Sequence, residues 1–214
     1  MRVAIAGGHG KIGRRLLRIL VERGDEVVSI DRDPGHAQDI EAWGARPVTC
    51  DLESAGPEEI AEGLAAADAV VFTAGAGPGS GPERKWTMDR DGAVKLAQAA
   101  ESAQVRRYVM VSSMGADPQA EGEDTFAVYL RAKGEADAAL AGSGLDHTIV
   151  RPSRLSDDPG GGLVEAAEHV ERGEISRDDV AASLAAVLNA PNTVGKTFEL
   201  ASGDAPIDEA IASL

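Results

Sequence analysis

A glycine-rich segment near the start of the chain constrains the possible folds more than any other feature. Residues 7–13 read GGHGKIG, directly after an apolar run at residues 3–6 and directly before an amphipathic stretch at residues 14–23. This order predicts a strand, a tight turn and a helix. Glycines let such a turn approach a diphosphate closely, and the N–H groups at the helix N-terminus attract its negative charge. The segment therefore indicates dinucleotide binding.

The glycines fit two registers of the dinucleotide motif. Gly8, Gly10 and Gly13 match G-x-G-x-x-G, whereas Gly7, Gly10 and Gly13 match G-x-x-G-x-x-G. In either register we expect His9 to contribute its backbone rather than its ring.

The rest of the chain alternates between short runs rich in Val and Ile and helical patterns. The runs predicted to be buried strands are residues 3–6, 26–30, 47–50, 69–73, 107–112 and 148–150, and the helical patterns are residues 11–23, 36–43, 57–66, 84–103 and 124–141. This alternation predicts the α/β class, with a Rossmann-like, doubly wound parallel sheet covered by helices on both faces. Beyond residue 150 we expect a helix at 178–189, a strand at 196–200 and a short helix at 207–213.

Length and charge limit the kind of protein. The 214 residues suffice for one domain, so we expect a single NAD(P)-binding domain over residues 1–214, with residues 151–214 as a minimal C-terminal extension on the substrate side. The net charge of −15 argues against nucleic acid as a partner, because phosphates would be repelled. Since the sequence shows neither a membrane span nor a signal peptide, we expect a cytoplasmic monomer or homodimer that acts on a small-molecule substrate.

Three smaller features complete this survey. Cys50, the only cysteine, ends an apolar run, which is typical of a buried thiol rather than a nucleophile. His147 and His169 lack carboxylate or cysteine partners at metal-ligand spacing, so we expect no metal site. The loop at residues 75–82, GAGPGSGP, is either a mobile rim of the cofactor cleft or a plain surface connection.

The end of the second predicted strand carries both residue types that distinguish the two nicotinamide cofactors. A carboxylate there bonds the ribose 2′-hydroxyl of NAD, whereas an arginine pairs with the 2′-phosphate of NADP. Asp31 lies about 20 residues after the glycines, which is the expected spacing, and Arg32 follows it directly. The choice between NAD and NADP stays open. Asp51, which closes the third strand, is predicted to lie beside the adenine.

Tyr129 and Lys133 form Y-x-x-x-K within the predicted helix 124–141, so both side chains project from one helix face. A phenol is a poor proton donor or acceptor near neutrality, because its ordinary pKa is near 10. A nearby ammonium favours the phenolate and brings the group into a useful range for acid–base catalysis. The same lysine can hydrogen-bond a nicotinamide ribose. The pair is therefore a candidate catalytic couple.

Taken together, these motifs resemble the short-chain dehydrogenase/reductase superfamily, specifically its small, atypical, NAD(P)H-binding members that are often described as epimerase- or dehydratase-like. Besides the glycine turn and the Tyr129–Lys133 pair, the resemblance rests on segments spread over nearly the whole chain. These are residues 50–52 (CDL), 89–93 (DRDGA), 108–113 (YVMVSS), 145–152 (LDHTIVRP) and 175–181 (ISRDDVA).

The resemblance implies roles for particular residues. Tyr129 would be the general acid or base with Lys133 as its partner, Ser113 is the candidate helper serine, and Asp89 stands where full enzymes of the superfamily carry asparagine. Ser112 is an alternative to Ser113, although the best alignment with extended members puts Met114 at the serine position. The implied cofactor contacts are Gly7, His9, Gly10, Lys11, Ile12, Gly13, Asp31, Arg32, Asp51, Leu52, Thr73, Ala74, Gly75 and Lys133.

Three functions are compatible with this pattern. The first is an NAD(P)-dependent oxidoreductase that transfers hydride between a nicotinamide and a small carbonyl or quinone-like substrate. The second is a sugar-nucleotide epimerase or dehydratase, against which the short segment after residue 150 argues. The third is an NADP(H)-binding redox sensor with little turnover.

Overall fold

The computed structural model describes residues 1–77 and 79–214. The strands, numbered in chain order, are β1 Arg2–Ala6, β2 Glu26–Asp31, β3 Arg46–Thr49, β4 Ala69–Phe72, β5 Arg107–Val111, β6 Asp146–Pro152, β7 Arg154–Ser156, β8 Leu163–Ala167, β9 Glu174–Ser176, β10 Lys196–Ser202 and β11 Ala205–Pro206. The α-helices are α1 Gly13–Glu22, α2 Ala37–Ala42, α3 Pro57–Gly63, α4 Pro82–Arg84, α5 Ala93–Ser102, α6 Thr125–Ala141, α7 Arg177–Leu188 and α8 Ile207–Ala212. A π-helical stretch, Lys85–Gly92, precedes α5.

The described residues build a nine-stranded sheet in the order β11-β8-β10-β6-β5-β4-β1-β2-β3. Neighbouring strands from β10 to β3 pair in parallel, whereas β8 pairs antiparallel to both β10 and β11. Strands β7 and β9 form a separate parallel pair. The predicted fold class, a Rossmann-like sheet wound in both directions from β1, is confirmed.

Helices cover both faces of this sheet because the inner strands are apolar on both sides. All four residues of β4 are buried, as are Val3 to Ala6 of β1. One face packs against α1, α2, α7 and α8, with Leu16 and Leu184 among the contacts, and the other packs against α3, α5 and α6, with Leu96 among them. A continuous apolar run with helices on both sides is the pattern of buried parallel strands.

The structure differs from the sequence-based prediction in two regions. The predicted helix 84–103 is a π-helical stretch, Lys85–Gly92, followed by α5, and this wider winding carries Asp89 into the interior. Beyond residue 150 the prediction missed β7, β8, β9 and β11, because short strands at a sheet edge carry little hydrophobic alternation. The one-domain organisation of residues 1–214 stays a prediction. Across the part of the chain that the structure describes, no helix is both long and apolar enough to cross a membrane.

The order of the strands determines where a ligand can bind. From β1 the chain continues to β2 and β3 on one side, and then returns to β4 on the other side of β1. The loops that follow β1 and β4 therefore diverge, and a crevice opens at the carboxyl ends of these two strands. Gly7 follows β1 directly and Thr73 follows β4 directly, so both residues lie at this crevice.

Candidate cofactor and active site

The turn between β1 and α1 is packed too closely for side chains at its glycines. Gly7 has a φ of +81°, and a Cβ built there would lie 2.8 Å from Ala74 Cα. The Gly10 N–H donates to the Gly7 carbonyl at 2.9 Å. Among the described residues no side chain caps the start of α1, so the first N–H groups of this helix remain available to an anion.

A cavity of about 500 Å³ opens above this turn, between the carboxyl ends of β2, β3 and β4. We call it the first cavity. The predicted cofactor residues that line it are Gly7, His9, Gly10, Lys11, Ile12, Asp31, Arg32, Leu52, Thr73, Ala74 and Gly75.

The structure does not place Gly13 and Asp51 on the wall of the first cavity. A Cβ at Gly13 would overlap the carbonyl of Gly7, so this glycine serves the close packing of α1 against the turn. Asp51 Oδ1 accepts a hydrogen bond from the Glu53 N–H at 3.0 Å and thereby shapes the loop after β3. The wall beside it is formed by Cys50 and Leu52.

Two charged side chains, Asp31 and Arg32, lie at the carboxyl end of β2. Asp31 is largely buried: its Oδ2 accepts from the His9 N–H at 3.3 Å, and its Oδ1 lies 2.8 Å from His36 Nδ1. Arg32 Nη1 lies 3.5 Å from Glu53 Oε2. The His9 ring stacks on His36 with a centroid distance of 3.6 Å, and the contribution of the His9 backbone to cofactor binding stays a prediction.

Lys11 and Arg177 bring positive charge to the other side of the glycine turn. Both line the first cavity, and both pair with the carboxylate of Asp157, at 2.5 Å for Lys11 Nζ and 2.9 Å for Arg177 Nη1. The hydrogen bond from Lys11, aided by the charge of Arg177, lowers the pKa of Asp157. One carboxylate therefore pairs with two cations, and a net positive charge remains beside the anion-binding turn.

A second cavity of about 780 Å³ adjoins the first. The two cavities share one wall, formed by Ile12 and by the loop after β4 from Thr73 to Gly77. The second cavity is also lined by Asp89, Ser112, Tyr129 and Lys133. The structure thus brings the predicted catalytic pair to one end of a cleft whose other end is the glycine turn. Most of the loop 75–82 lines this cleft; the part of that prediction that concerns Pro78 lies outside the described residues.

Lys133 is buried, and two oxygens lie near its ammonium. Its Nζ donates to the Val111 carbonyl at 3.0 Å and lies 3.6 Å from Asp89 Oδ1. Asp89 Oδ2 in turn accepts from the Ala76 N–H at 3.3 Å. Asp89 therefore links the lysine to the loop that forms the shared wall. Tyr129 is partly exposed at the cavity wall, and Lys85 Nζ lies 5.5 Å from the centre of its ring.

Ser112, rather than Ser113, lies on the wall of the second cavity. Ser113 Oγ instead donates to the Met114 carbonyl at 3.2 Å. The Ser112 side chain is buried beside the Asp137 carboxyl, and its Oγ makes no hydrogen bond of regular geometry among the described residues. Sequence reasoning had weighed Ser112 but committed to Ser113, because the direction of each side chain after β5 depends on where that strand ends.

A buried ion pair supports this region from behind. Arg151, near the end of β6, forms an ion pair with Asp137: its Nη2 lies 2.8 Å from Asp137 Oδ2. Burial raises the pKa of the Asp137 carboxyl against the opposing effects of Ser112 and Arg151. Since Asp137 follows Lys133 by one helical turn of α6, this pair fixes the helix that carries the lysine.

The basic residues that line the cleft without having been predicted include Arg177 and His36 in the first cavity and Lys85 in the second. Arg177 belongs to the segment ISRDDVA, which carried the family resemblance without an assigned role. Lys85 lies within the predicted helix 84–103 but belongs to none of the motifs found in the sequence. His36 stands five residues after Asp31, at a turn that brings it back to the cleft. Only the geometry of that turn identifies His36 as a lining residue.

Comparisons with known proteins show the family to which this chain belongs. The NAD(P)H-binding family matches residues 7–191. Over its full length the chain is 40% identical to the full length of the uncharacterized sugar epimerase YhfK of Bacillus subtilis. A solved structure from Bacillus halodurans, described as an NAD-dependent epimerase/dehydratase, superposes with a TM-score of 0.92 at 38% identity and 100% coverage of both chains. The anaerobillin reductase ChuY from Escherichia coli O157:H7 superposes with a TM-score of 0.81 at 25% identity, covering 96% of this chain and 98% of that one.

The fold and the site define an atypical short-chain dehydrogenase/reductase-like protein. The chain belongs to the NAD(P)H-binding family, whose structural neighbours are epimerase/dehydratase-like.

Proposed function

We propose that this chain is an NAD(P)H-dependent oxidoreductase that transfers hydride between a nicotinamide and a small carbonyl or quinone-like substrate. The observation that carries the proposal is the shared wall between the two cavities. A glycine turn suited to a diphosphate opens into one of them, and Ser112 lines the other together with the Tyr129–Lys133 pair. An extended dinucleotide would cross this wall, with its adenosine at the first cavity and its nicotinamide at the second.

The residues present fit such a cofactor. A Cβ at Gly7 would contact the loop after β4, so the absence of a side chain keeps the backbone accessible to phosphate oxygens. Lys11 and Arg177 supply positive charge on the same side. Asp31 and Arg32 face the position of the adenosine ribose, and Leu52 forms an apolar surface for the adenine. Lys133 is the candidate contact to the nicotinamide ribose.

Bound nicotinamide would supply or accept the hydride. In the proposed reaction Tyr129 donates the proton to the substrate oxygen, and Ser112, which lines the same cavity, donates a hydrogen bond to that oxygen. Lys133, held by Asp89 and by the Val111 carbonyl, orients the cofactor ribose and keeps a positive charge near the phenol. Proton donation of this kind contributes about 10²–10⁴-fold to a rate.

The walls of the second cavity favour an apolar, planar substrate. Phe126, Tyr129 and Leu155 line it, and the Phe126 side chain is 60% exposed. An exposed aromatic ring at a cavity mouth is suited to stack on another ring.

A sugar-nucleotide epimerase is the second candidate function, because the full-length relative from Bacillus subtilis is named as one. The same Tyr129 and Ser112 would serve it, since an epimerase of this superfamily also removes and returns a hydride. A third candidate, redox sensing with little turnover, is favoured by the ion pair between Lys133 and Asp89, since this pair draws the ammonium towards a carboxylate.

Two measurements test these alternatives. The purified protein is first titrated with NADPH and NADH by calorimetry, and cofactor oxidation is then followed with a panel of ketones, aldehydes and quinones. The oxidoreductase proposal predicts micromolar binding and turnover of at least one quinone or ketone. Interconversion of nucleotide sugars without net oxidation of the cofactor would favour the epimerase, and binding without any turnover would favour the sensor. Absence of heat with both cofactors would overturn all three.

A further inference from the structure

The ammonium of Lys85, on the wall of the second cavity, is bonded to neutral oxygens. Lys85 begins the π-helical stretch, and its Nζ donates to Ser80 Oγ at 2.8 Å and to the Gly77 carbonyl at 3.2 Å. The salt bridges within residues 1–77 and 79–214 do not include Lys85. Since an ammonium carries three N–H donors, these two bonds leave one donor for a ligand.

The other lysines and arginines that line the cleft all have a carboxylate beside them. The N···O distance of each pair is at most 3.6 Å, and these residues are Lys11, Arg32, Arg84, Lys133 and Arg177. The charged residues on the wall of the second cavity are Lys85, Lys133 and Asp89. Because Asp89 pairs with Lys133, no described residue of this wall compensates the charge of Lys85. An acidic chain, with a net charge of −15, thus places an uncompensated cation at its candidate substrate site.

Lys85 also lies close to the candidate proton donor. Its Nζ is 5.5 Å from the centre of the Tyr129 ring, a distance at which a cation is attracted to the face of an aromatic ring. The exposed ring of Phe126 lies 6.0 Å from the Tyr129 ring, between centres. A ligand whose carbonyl oxygen reaches the Tyr129 hydroxyl therefore meets an ammonium and an aromatic surface within the span of one small molecule.

We propose that Lys85 selects substrates that carry an anionic group. The substrate class is then an aromatic or quinone-like carbonyl compound with a carboxylate or sulfonate on its ring system, since a compact ammonium acts as a point charge towards either anion. The anion takes the remaining donor of Lys85, the ring lies against Phe126, and the carbonyl faces Tyr129. This inference rests on the proposed reduction of a carbonyl or quinone-like substrate, and it makes Lys85 a residue that determines specificity rather than one that transfers protons.

A purely structural role of Lys85 makes a different prediction. Through Ser80 and Gly77 the lysine holds the loop after β4, so its loss could act by loosening this loop. Ser80→Ala removes one of the two bonds to the loop but leaves the ammonium in place. If the charge of Lys85 recognises the ligand, Ser80→Ala keeps the preference for anions and Lys85→Met loses it.

The test measures binding without turnover. The protein is saturated with NADP⁺ or NAD⁺, with which a ketone cannot be reduced, and is titrated by calorimetry with meta- and para-acetylbenzoate, with the corresponding acetylbenzenesulfonates, and with the uncharged acetylbenzamides of similar shape. The wild-type protein should bind the anions about tenfold more tightly than the amides. Added salt should reduce this preference, because it screens charges that are accessible to solvent.

The variants isolate the charge of Lys85. In Lys85→Met the preference for the anions should disappear, while the affinities for the amides and for the cofactor stay within about twofold of the wild type. Retained binding of the amides shows that the cavity is intact. Lys196→Met is the matched control, since it removes a positive charge from an exposed residue at the start of β10 and should keep the wild-type preference.

The outcomes that contradict the inference are separate from those that contradict the proposed function. Failure of the anions to bind, equal affinities for anions and amides in the wild type, or a preference that survives in Lys85→Met would overturn the role of Lys85. An equal loss of preference in Ser80→Ala would overturn it as well, and a loss of cofactor affinity in Lys85→Met would assign the lysine to the cofactor instead. If the wild-type protein bound neither nicotinamide cofactor, the proposed function itself would fail.

Discussion

Lys133 Nζ lies 3.6 Å from Asp89 Oδ1, and both side chains are less than 5% exposed. The lysine comes from α6 and the aspartate from the π-helical stretch that precedes α5. Asp89 also accepts from the backbone of the loop after β4. This pair therefore joins the helix of the candidate catalytic residues to the wall between the two cavities.

Removing one member of this pair should destabilise the protein. In Asp89→Ala the buried ammonium of Lys133 loses its counter-ion, so we expect the free energy of unfolding to fall by about 3 kcal/mol. Urea denaturation followed by circular dichroism measures the change. The double variant Asp89→Ala/Lys133→Met buries no unpaired charge and should be more stable than Asp89→Ala. If the free energy of unfolding of Asp89→Ala equalled that of the wild type, the ion pair would not stabilise the protein.

Tyr129→Phe tests the proton donor. We expect kcat for the proposed reduction to fall by about 10²–10⁴-fold, because the hydroxyl that protonates the substrate oxygen is lost. Affinity for the cofactor should stay within about twofold of the wild type, since a twofold change corresponds to only roughly 0.4 kcal/mol. Tyr108→Phe is the matched control: Tyr108 is fully buried, and its hydroxyl donates to the Ala93 carbonyl at 3.4 Å. Undiminished turnover in Tyr129→Phe would remove the tyrosine from the mechanism.

Arg177→Met should weaken both cofactors by a similar factor of about tenfold, because a charged contact to the shared diphosphate is lost. Asp157→Asn should act in the opposite direction, since it frees Lys11 and Arg177 from a competing carboxylate. Calorimetric titration measures both. Arg154→Met serves as the control, because Arg154 is 78% exposed and pairs only with Glu174 among the described residues. A loss of affinity for only one of the two cofactors would show that Arg177 does not contact the diphosphate, which both cofactors share.

Gly7→Ala should abolish cofactor binding. The new Cβ would meet the backbone of Ala74 at 2.8 Å, at a residue whose φ is +81°. Gly195→Ala separates the steric clash from the backbone strain, because Gly195 has a φ of +77° but no atom within 4 Å of a built Cβ. That control should lose about 1–2 kcal/mol of stability from backbone strain alone and keep its affinity. Equal affinities in the two variants would contradict the close approach at Gly7.

Cys50 should react slowly with thiol reagents in the native protein. Burial raises the pKa of its thiol, and the nearby carboxylates of Glu59 and Asp51 add to the rise. The folded state then holds the proton more tightly than the unfolded state does. The corresponding stability is complete at neutral pH and is lost as the pH rises beyond roughly 8.5. Cys50→Ala should lessen this alkaline loss in denaturation curves. Fast labelling of Cys50 in the native protein at pH 8 would contradict a buried thiol with a raised pKa.

Much of the fold was predictable from the order of residues. Buried parallel strands are short apolar runs, and the helices between them carry one apolar face, so the alternation up to β6 appears directly in the sequence. The strands β8 and β11, at one end of the sheet, were not predicted. Leu163–Ala167 and Ala205–Pro206 carry little pattern of their own and are defined by pairing with neighbouring strands.

By itself the sequence determined the doubly wound core, the glycine turn and the position of Tyr129 and Lys133 on one helix face, because these depend on backbone conformation and on residue spacing within one element. Only the tertiary structure decided that Ser112 faces the cavity in place of Ser113, that Asp89 pairs with Lys133, and that Arg177 and His36 join the cleft. Such relationships depend on how separate elements pack in three dimensions, and spacing along the chain carries no record of that packing.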